Sequence, residues 1–272
     1  MEFLHKGVPD LGLTARWDPP TWTEPTTRSQ QHDETLTKLL SRLNLTSGEA
    51  KARHYDHEVK GLSVIKPWVG VDCDVPAEAT VFLARHGSLR GLVLSEGINP
   101  FISDLDTYSM AMTVVDEAVR RQICAGARLD RIAALDNFCW PDPVRSPKTP
   151  DGEYKLAQLV RACQGLYDIC SAYGVPLISG KDSMKNESTM GGVKISVPPT
   201  LLLSAIGQID DVQQALSLDF KVPGDVIFIL GRTGEHTGAS EYLRYLGDLE
   251  GLSGEIGQPA PYVGSNPPSV DP

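Results

Sequence analysis

Residues 174–188 read GVPLISGKDSMKNES, and the rest of the chain is best read outward from them. VPLISG is a short apolar strand that ends at Ile178, and KDSMKNES is a polar loop after it. Ser179 and Gly180 are small and permit close backbone approach by a ligand. Lys181, Asp182 and Ser183 then supply a cation, a carboxylate able to hold Mg²⁺ and a hydroxyl donor. That trio suits a phosphate-bearing ligand. The same residues also make an ordinary polar turn with a surface lysine, and chemistry alone does not separate the two. The G-x-x-x-x-G-K-[ST] spacing of a Walker A loop is absent.

Upstream of this stretch, 153–173 has helical spacing, with Leu156, Leu159, Val160, Cys163, Leu166 and Cys170 on one expected buried face. Before it lies a Pro-rich loop, PDPVRSPKTPDG (141–152), too long for a simple turn and a candidate lid. RIAALDNF (131–138) is a strand that ends in polar residues. Asp136 and Asn137 fall at its carboxyl end, where open α/β sheets bind ligands. Phe138 and Trp140 could stack a base, although core packing is the commoner fate of such aromatics. Residues 107–125 form an expected helix with Asp106 as N-cap and Gly126 as stop signal. Met110, Val114, Ala118 and Ile123 should face inward. GLSVIKPWVGV (61–71, broken by Pro67), ATVFLA (79–84), RGLVLSEG (90–97) and PPTLLLSAIGQI (198–209) are further strands. Strands and helices alternate, so the class is α/β.

The flanks differ. Residues 1 to about 31 scatter Pro among Thr, Gln and charged residues, which reads as a linker or an arm on another surface. Residues 33–44 place Leu36, Leu39, Leu40 and Leu43 in one helical stripe. From Val212 a new unit opens: KVPGDVIFILGRTGEHTGASEYLRYLG (221–247) reads as turn, buried strand, Gly-rich loop and helix. The Gly-rich stretch could accept an anion at the helix N-terminus.

Composition sets the outer bounds. The chain has 272 residues, a net charge of −10 and 41 % apolar residues, enough for one large domain or two modest ones. The acidity argues against nucleic acid and anionic membrane as partners. Five cysteines without a C-x-x-C make a disulfide framework or a zinc site a poor fit. Cys163 and Cys170, seven apart, should share a buried helix face. Six histidines include no His-Glu-x-x-His pattern. MEFLHKGVPD carries no signal-like apolar run, and no run approaches membrane-spanning length, so a cytoplasmic protein is expected.

Taken in order, YDHEVKG, NPFISDLDTYSMAMTVVDEAVRR, ALDNFCWPDP, GVPLISGKDSMKNES, PTLLLSAIG and PGDVIFILG resemble the second half of the phosphoribosylformylglycinamidine synthase family. The resemblance implies a fold shared with aminoimidazole ribonucleotide synthetase. Residues 1–55 become a linker or arm with a short helix. Residues 56–211 become the N-terminal-type α/β domain, and 212–272 the truncated start of its follow-on domain. It also implies an ATP-dependent ligase of purine biosynthesis. ATP would phosphorylate the amide oxygen of formylglycinamide ribonucleotide, and ammonia would displace the phosphate. The expected partners are the synthase's first half, a glutaminase subunit and a small accessory subunit.

Position by position, the resemblance makes Asp136 and Gly180 ATP contacts and Ser183 a substrate contact. Many members have a metal-binding Asn where this chain has Lys181. Lysine cannot ligate Mg²⁺, and Asp182 is the substitute. The family's catalytic histidine lies in the first half, so no catalytic residue is assigned here. Larger members hold an auxiliary nucleotide site through a Glu and an Asn one helical turn apart. Here Glu117 faces Arg121 instead, and an ion pair is expected. PDP after Trp140, where G-N-P is usual, is another departure. A non-catalytic scaffold half and a small-molecule kinase of the same superfold are the competing readings.

Overall fold

The computed structural model describes residues 7, 12–21, 31–234, 236–249 and 267–272. Its centre is a six-stranded sheet in the order β1-β4-β5-β10-β6-β7. The strands are β1 (Ser63–Ile65), β4 (Thr80–Leu83), β5 (Gly91–Ile98), β6 (Ile132–Cys139), β7 (Leu177–Ser183) and β10 (Thr200–Ile209). Two small ribbons pair β2 (Trp68–Val69) with β3 (Val75–Pro76), and β8 (Glu187–Met190) with β9 (Val193–Ser196). Every pairing in the main sheet is antiparallel except β6 with β7.

Helices α2 (Thr107–Cys124) and α3 (Gly152–Tyr173) cover one sheet face. Alternation dictates which residues meet them. Leu201, Leu203, Ala205 and Ile209 of β10 are buried, as are Gly91, Val93, Ser95 and Gly97 of β5. Leu94 and Ile98 point to the helix-free side and stay exposed. One broad apolar face of the sheet is therefore open.

The start of α2 follows the local rules. Asp106 accepts from the backbone N–H of Tyr108 and Ser109, as a capping carboxylate should. Met110, Val114 and Ala118 are buried, but Ile123 is half-exposed. Gln122 takes the inward place near the helix end. Its amide donates to the Val93 and Ala205 carbonyls and to Ser95 Oγ, stitching α2 to the sheet.

Helix α3 turns a different face inward from the one hydrophobicity suggests. Ala157, Ala162, Gly165 and Ile169 are buried with Leu166 and Cys170. Val160 and Cys163 are exposed, so the two cysteines do not share a buried face. The cause is a close helix crossing. A Cβ on Gly165 would lie 2.5 Å from the Tyr108 carbonyl oxygen, so only small residues fit the seam. Phe138 and Trp140 are core residues, with Trp140 Nε1 donating to the Lys155 carbonyl.

The flanks fold onto this unit in part. Residues 12–21 lie on α3: Arg16 N–H donates to the Glu153 carbonyl, and Trp17 stacks on Tyr154 beneath the Arg161 guanidinium. The expected leucine helix is α1 (His32–Leu40), but Leu36, Leu40 and Leu43 are exposed. Only Leu39 packs, against α4 (Glu241–Leu249). The expected strand at 226–230 is not formed, and Val226, Ile227, Phe228, Ile229 and Leu230 are all exposed. No described strand lies beside that run to pair with it. At the N-terminus of α4 the Leu243 N–H donates to Ser240 Oγ, and the Glu241 carboxylate of the first turn accepts from Arg42 and Asn44. Helix α4 also sets Arg244 on the Phe101 ring, 3.8 Å from its centroid.

Candidate functional site

The parallel pairing of β6 and β7 builds the site. Asp136 pairs with Gly180, Asn137 with Lys181, Phe138 with Asp182 and Cys139 with Ser183. The strand expected to end at Ile178 therefore runs on through Ser183, and KDS is strand rather than loop. Beyond it, the NES part of the expected loop enters the β8–β9 hairpin.

Strand alternation sorts the candidate residues into two rows. Asp136, Gly180 and Asp182 lie on the helix-covered face, since Asp136 stands opposite the buried Leu203 of β10. Lys181 and Ser183 lie on the other face, where the Lys181 ammonium is 3.7 Å from Cys139 Sγ. The Lys-Asp-Ser trio is thus not one cluster. Strand β7 is, however, the edge strand of the sheet, so a ligand laid along that edge can meet both rows.

Gly180 is needed for the close approach itself. A Cβ there would sit 2.9 Å and 3.1 Å from the two Asp136 carboxylate oxygens. Burial pushes the Asp136 carboxyl up from its ordinary range, and the adjacent Asp182 carboxylate adds to the shift. Burial also pushes the Cys170 thiol up to about 11, with Asp136 nearby adding to it. Asp136 lies three residues before the end of β6 and not at the end the sequence suggested, and with Asp182 near the end of β7 it makes two adjacent carboxylates that suit a divalent cation carrying phosphate oxygens. No cluster of three or more His, Cys, Asp or Glu able to hold a metal occurs among the described residues. A cation here would complete its shell with water and ligand oxygens.

Glu117 and Arg121 form the expected pair, at 2.9 Å. The guanidinium also meets Glu78 at 2.8 Å and donates to the Glu96 carbonyl, while Glu117 accepts from the Ile98 N–H. Each end of this pair is tied to the sheet.

Residues 81–209, the span from β4 to the end of β10, match the family described as AIR synthase related protein, N-terminal domain. The phosphoribosylformylglycinamidine synthase subunit PurL of Anaeromyxobacter dehalogenans is 30 % identical over 267 residues, which cover 98 % of this chain and 30 % of that protein. Over nearly its whole length this chain is similar to phosphoribosylformylglycinamidine synthase subunits. PurL of Alkaliphilus metalliredigens is 34 % identical over 77 % of this chain and 25 % of its own length. The chain thus spans between a quarter and a third of these synthase subunits. Among solved structures, PurLQS from Thermotoga maritima aligns over 78 % of this chain and 29 % of that one, with a TM-score of 0.50 and 21 % identity, a likeness of fold.

Sequence reasoning missed Glu187 and Asn186. Asn186 Oδ1 accepts from the Trp140 N–H, and Glu187 accepts from the Asp142 N–H. Their place beside SGKDS was visible. Their role in binding the loop after β6 depends on contacts more than 40 residues away in sequence.

Proposed function

We propose that the chain is one part of an ATP-dependent phosphoribosylformylglycinamidine synthase and supplies half of a composite site. The observation that carries this is the Asp136–Gly180 pairing with Asp182 beside it, in a chain similar to synthase subunits. In this reading Asp136 and Gly180 contact ATP, and Asp182 with Asp136 holds Mg²⁺ on its phosphates. Ser183, on the outer row, contacts formylglycinamide ribonucleotide. The metal would supply charge neutralisation at the transferred phosphoryl group. This chain's residues would bind and orient the nucleotide.

Residues 56–211 form the AIR synthetase-type domain in this proposal, 212–272 begin the next domain, and 1–55 are an arm. The open apolar sheet face supports pairing with the synthase's first half. A glutaminase subunit and a small accessory subunit complete the proposed assembly, which we place in the cytoplasm. No helix among the described residues is long and apolar enough to cross a membrane.

The test is complementation. The purified chain alone should not turn over ATP with formylglycinamide ribonucleotide and ammonia. Addition of a separately produced first half should release ADP in proportion to complex formed. Turnover by the chain alone would overturn the half-site reading, and no turnover from the mixture would favour a scaffold role.

A second expectation concerns Arg121. A cation tied to Glu78 and Glu117 excludes Mg²⁺ from that helix face, so the chain should copurify without nucleotide there. Arg121→Asn puts a neutral oxygen one turn from Glu117 and should allow weak Mg-ADP binding, read by calorimetry. Tight Mg-ADP binding in the unmodified chain that Glu117→Ala abolishes would refute this.

A further inference from the structure

The Pro-rich loop 141–151 leaves the end of β6 beside Ser183 and reaches α3, and the β8–β9 hairpin grips it at both ends. At its start, Asp142 N–H donates to Glu187 Oε1 at 3.0 Å. At its far end, Lys194 Nζ donates to the Lys148 carbonyl and to Thr149 Oγ1, both at 2.9 Å. Glu187 and Lys194 then close on each other at 2.7 Å, and Ser196 Oγ donates to Glu187 as well. Lys155 of α3 adds a second cation at 3.7 Å.

The strand ends share the arrangement. Trp140 N–H donates to the Ser183 carbonyl, and Asn186 N–H donates to the Trp140 carbonyl. Between Ser183 and Asn186 the chain passes through Lys185 at a φ of 60°, a conformation that non-glycine residues hold only when their surroundings fix it. Burial alone would raise the Glu187 carboxyl. Lys194, the Asp142 N–H and Ser196 overcome that and hold it at about 2, so the pair stays ionised at neutral pH.

We propose that Glu187 and Lys194 form an ionic clasp that fixes the 141–151 loop as a wall of the nucleotide site, making Glu187 a positioning residue for Asp182 and Ser183. The inference rests on the nucleotide site proposed above. The clasp touches neither Asp136 nor Gly180. It sets the loop that leaves β6 and the turn that leaves β7, and so the geometry of the crevice between them.

Hydrogen exchange and Mg-ATP calorimetry on the intact chain test it together. Glu187→Ala and Lys194→Met should each raise exchange of the 142–149 amides about tenfold or more, with α2 and the central strands unchanged. Each should also weaken Mg-ATP binding about tenfold. Glu187→Gln keeps the acceptor for Asp142 and should recover part of both effects, which a general loss of fold would not. Unchanged loop exchange in the Lys194 variant would overturn the clasp. A loosened loop with unchanged Mg-ATP affinity would overturn the positioning role. Absence of Mg-ATP binding in the unmodified chain, with the loop still loosened by the variants, would overturn the nucleotide site and the positioning role with it.

Discussion

Asp136→Ala in the reconstituted synthase should weaken ATP use by roughly 10- to 150-fold, the loss of a charged hydrogen bond worth about 1.5–3 kcal/mol. Folding should not suffer in parallel. In the folded chain the Asp136 carboxylate is disfavoured, first by burial and then by Asp182, so its removal takes away a repulsion. Steady-state kinetics against ATP and urea unfolding of the same variant separate the two outcomes. Gly180→Ala is the steric counterpart. The new methyl would lie 2.9 Å from Asp136 Oδ1, so the carboxylate must swing away and ATP affinity should fall with little change in the sheet. An ATP KM and kcat unchanged in both variants would remove Asp136 and Gly180 from the site.

The second large effect is on stability and depends on pH. Asp104 lies among the short turn residues before α2, and burial pushes its carboxyl from 3.8 to about 6 against the opposing pull of Arg244. A carboxyl with a raised folded-state pKa binds its proton more tightly in the folded chain. Between about pH 4 and pH 6 the folded state therefore holds more protons than the unfolded one, and stability falls as pH rises through that window. Above it the penalty is complete. Asp104→Asn removes the ionisation and should stabilise the chain by about 1–3 kcal/mol at pH 8, and by much less at pH 4. Urea midpoints of the two proteins at pH 4, 6 and 8 check this. A variant no more stable than the parent at pH 8 would show that Arg244 compensates the buried charge in full.

Features set by neighbouring residues were legible in the sequence. Asp106 reads as a cap because the N–H groups it serves are two and three residues away. β5 and β10 read as strands from their apolar runs, but the row of β5 that faces the helices was not legible, because it is Gly91, Val93, Ser95 and Gly97 and not the more apolar Leu94 and Ile98. Gln122 was not legible, since its partners Val93, Ser95 and Ala205 come from two distant strands. The inward face of α3 was misread because Val160 and Cys163 outrank Ala162 and Gly165 in hydrophobicity, whereas the crossing with α2 selects small size. The end of β7 was misread because a polar edge strand has no apolar rhythm to mark it. The site follows the same division. Asp136, Gly180, Asp182 and Ser183 were singled out by residue type and by resemblance, but their division into two rows exists only in the register of β6 with β7.

The run from Val226 to Leu230 has a consequence for the life of the chain in solution. It is uncharged, free of proline, rich in β-branched and aromatic side chains, and bare to water. Segments of that composition stack into cross-β ribbons when two copies meet. Asp225 on one side and Arg232 on the other are its only charged neighbours, one gatekeeper at each flank. At high concentration the self-association of this polypeptide should therefore be most sensitive to these five exposed residues. Charged substitutions placed within that run, rather than added elsewhere on a surface that already carries a net −10, are the way to keep it dispersed.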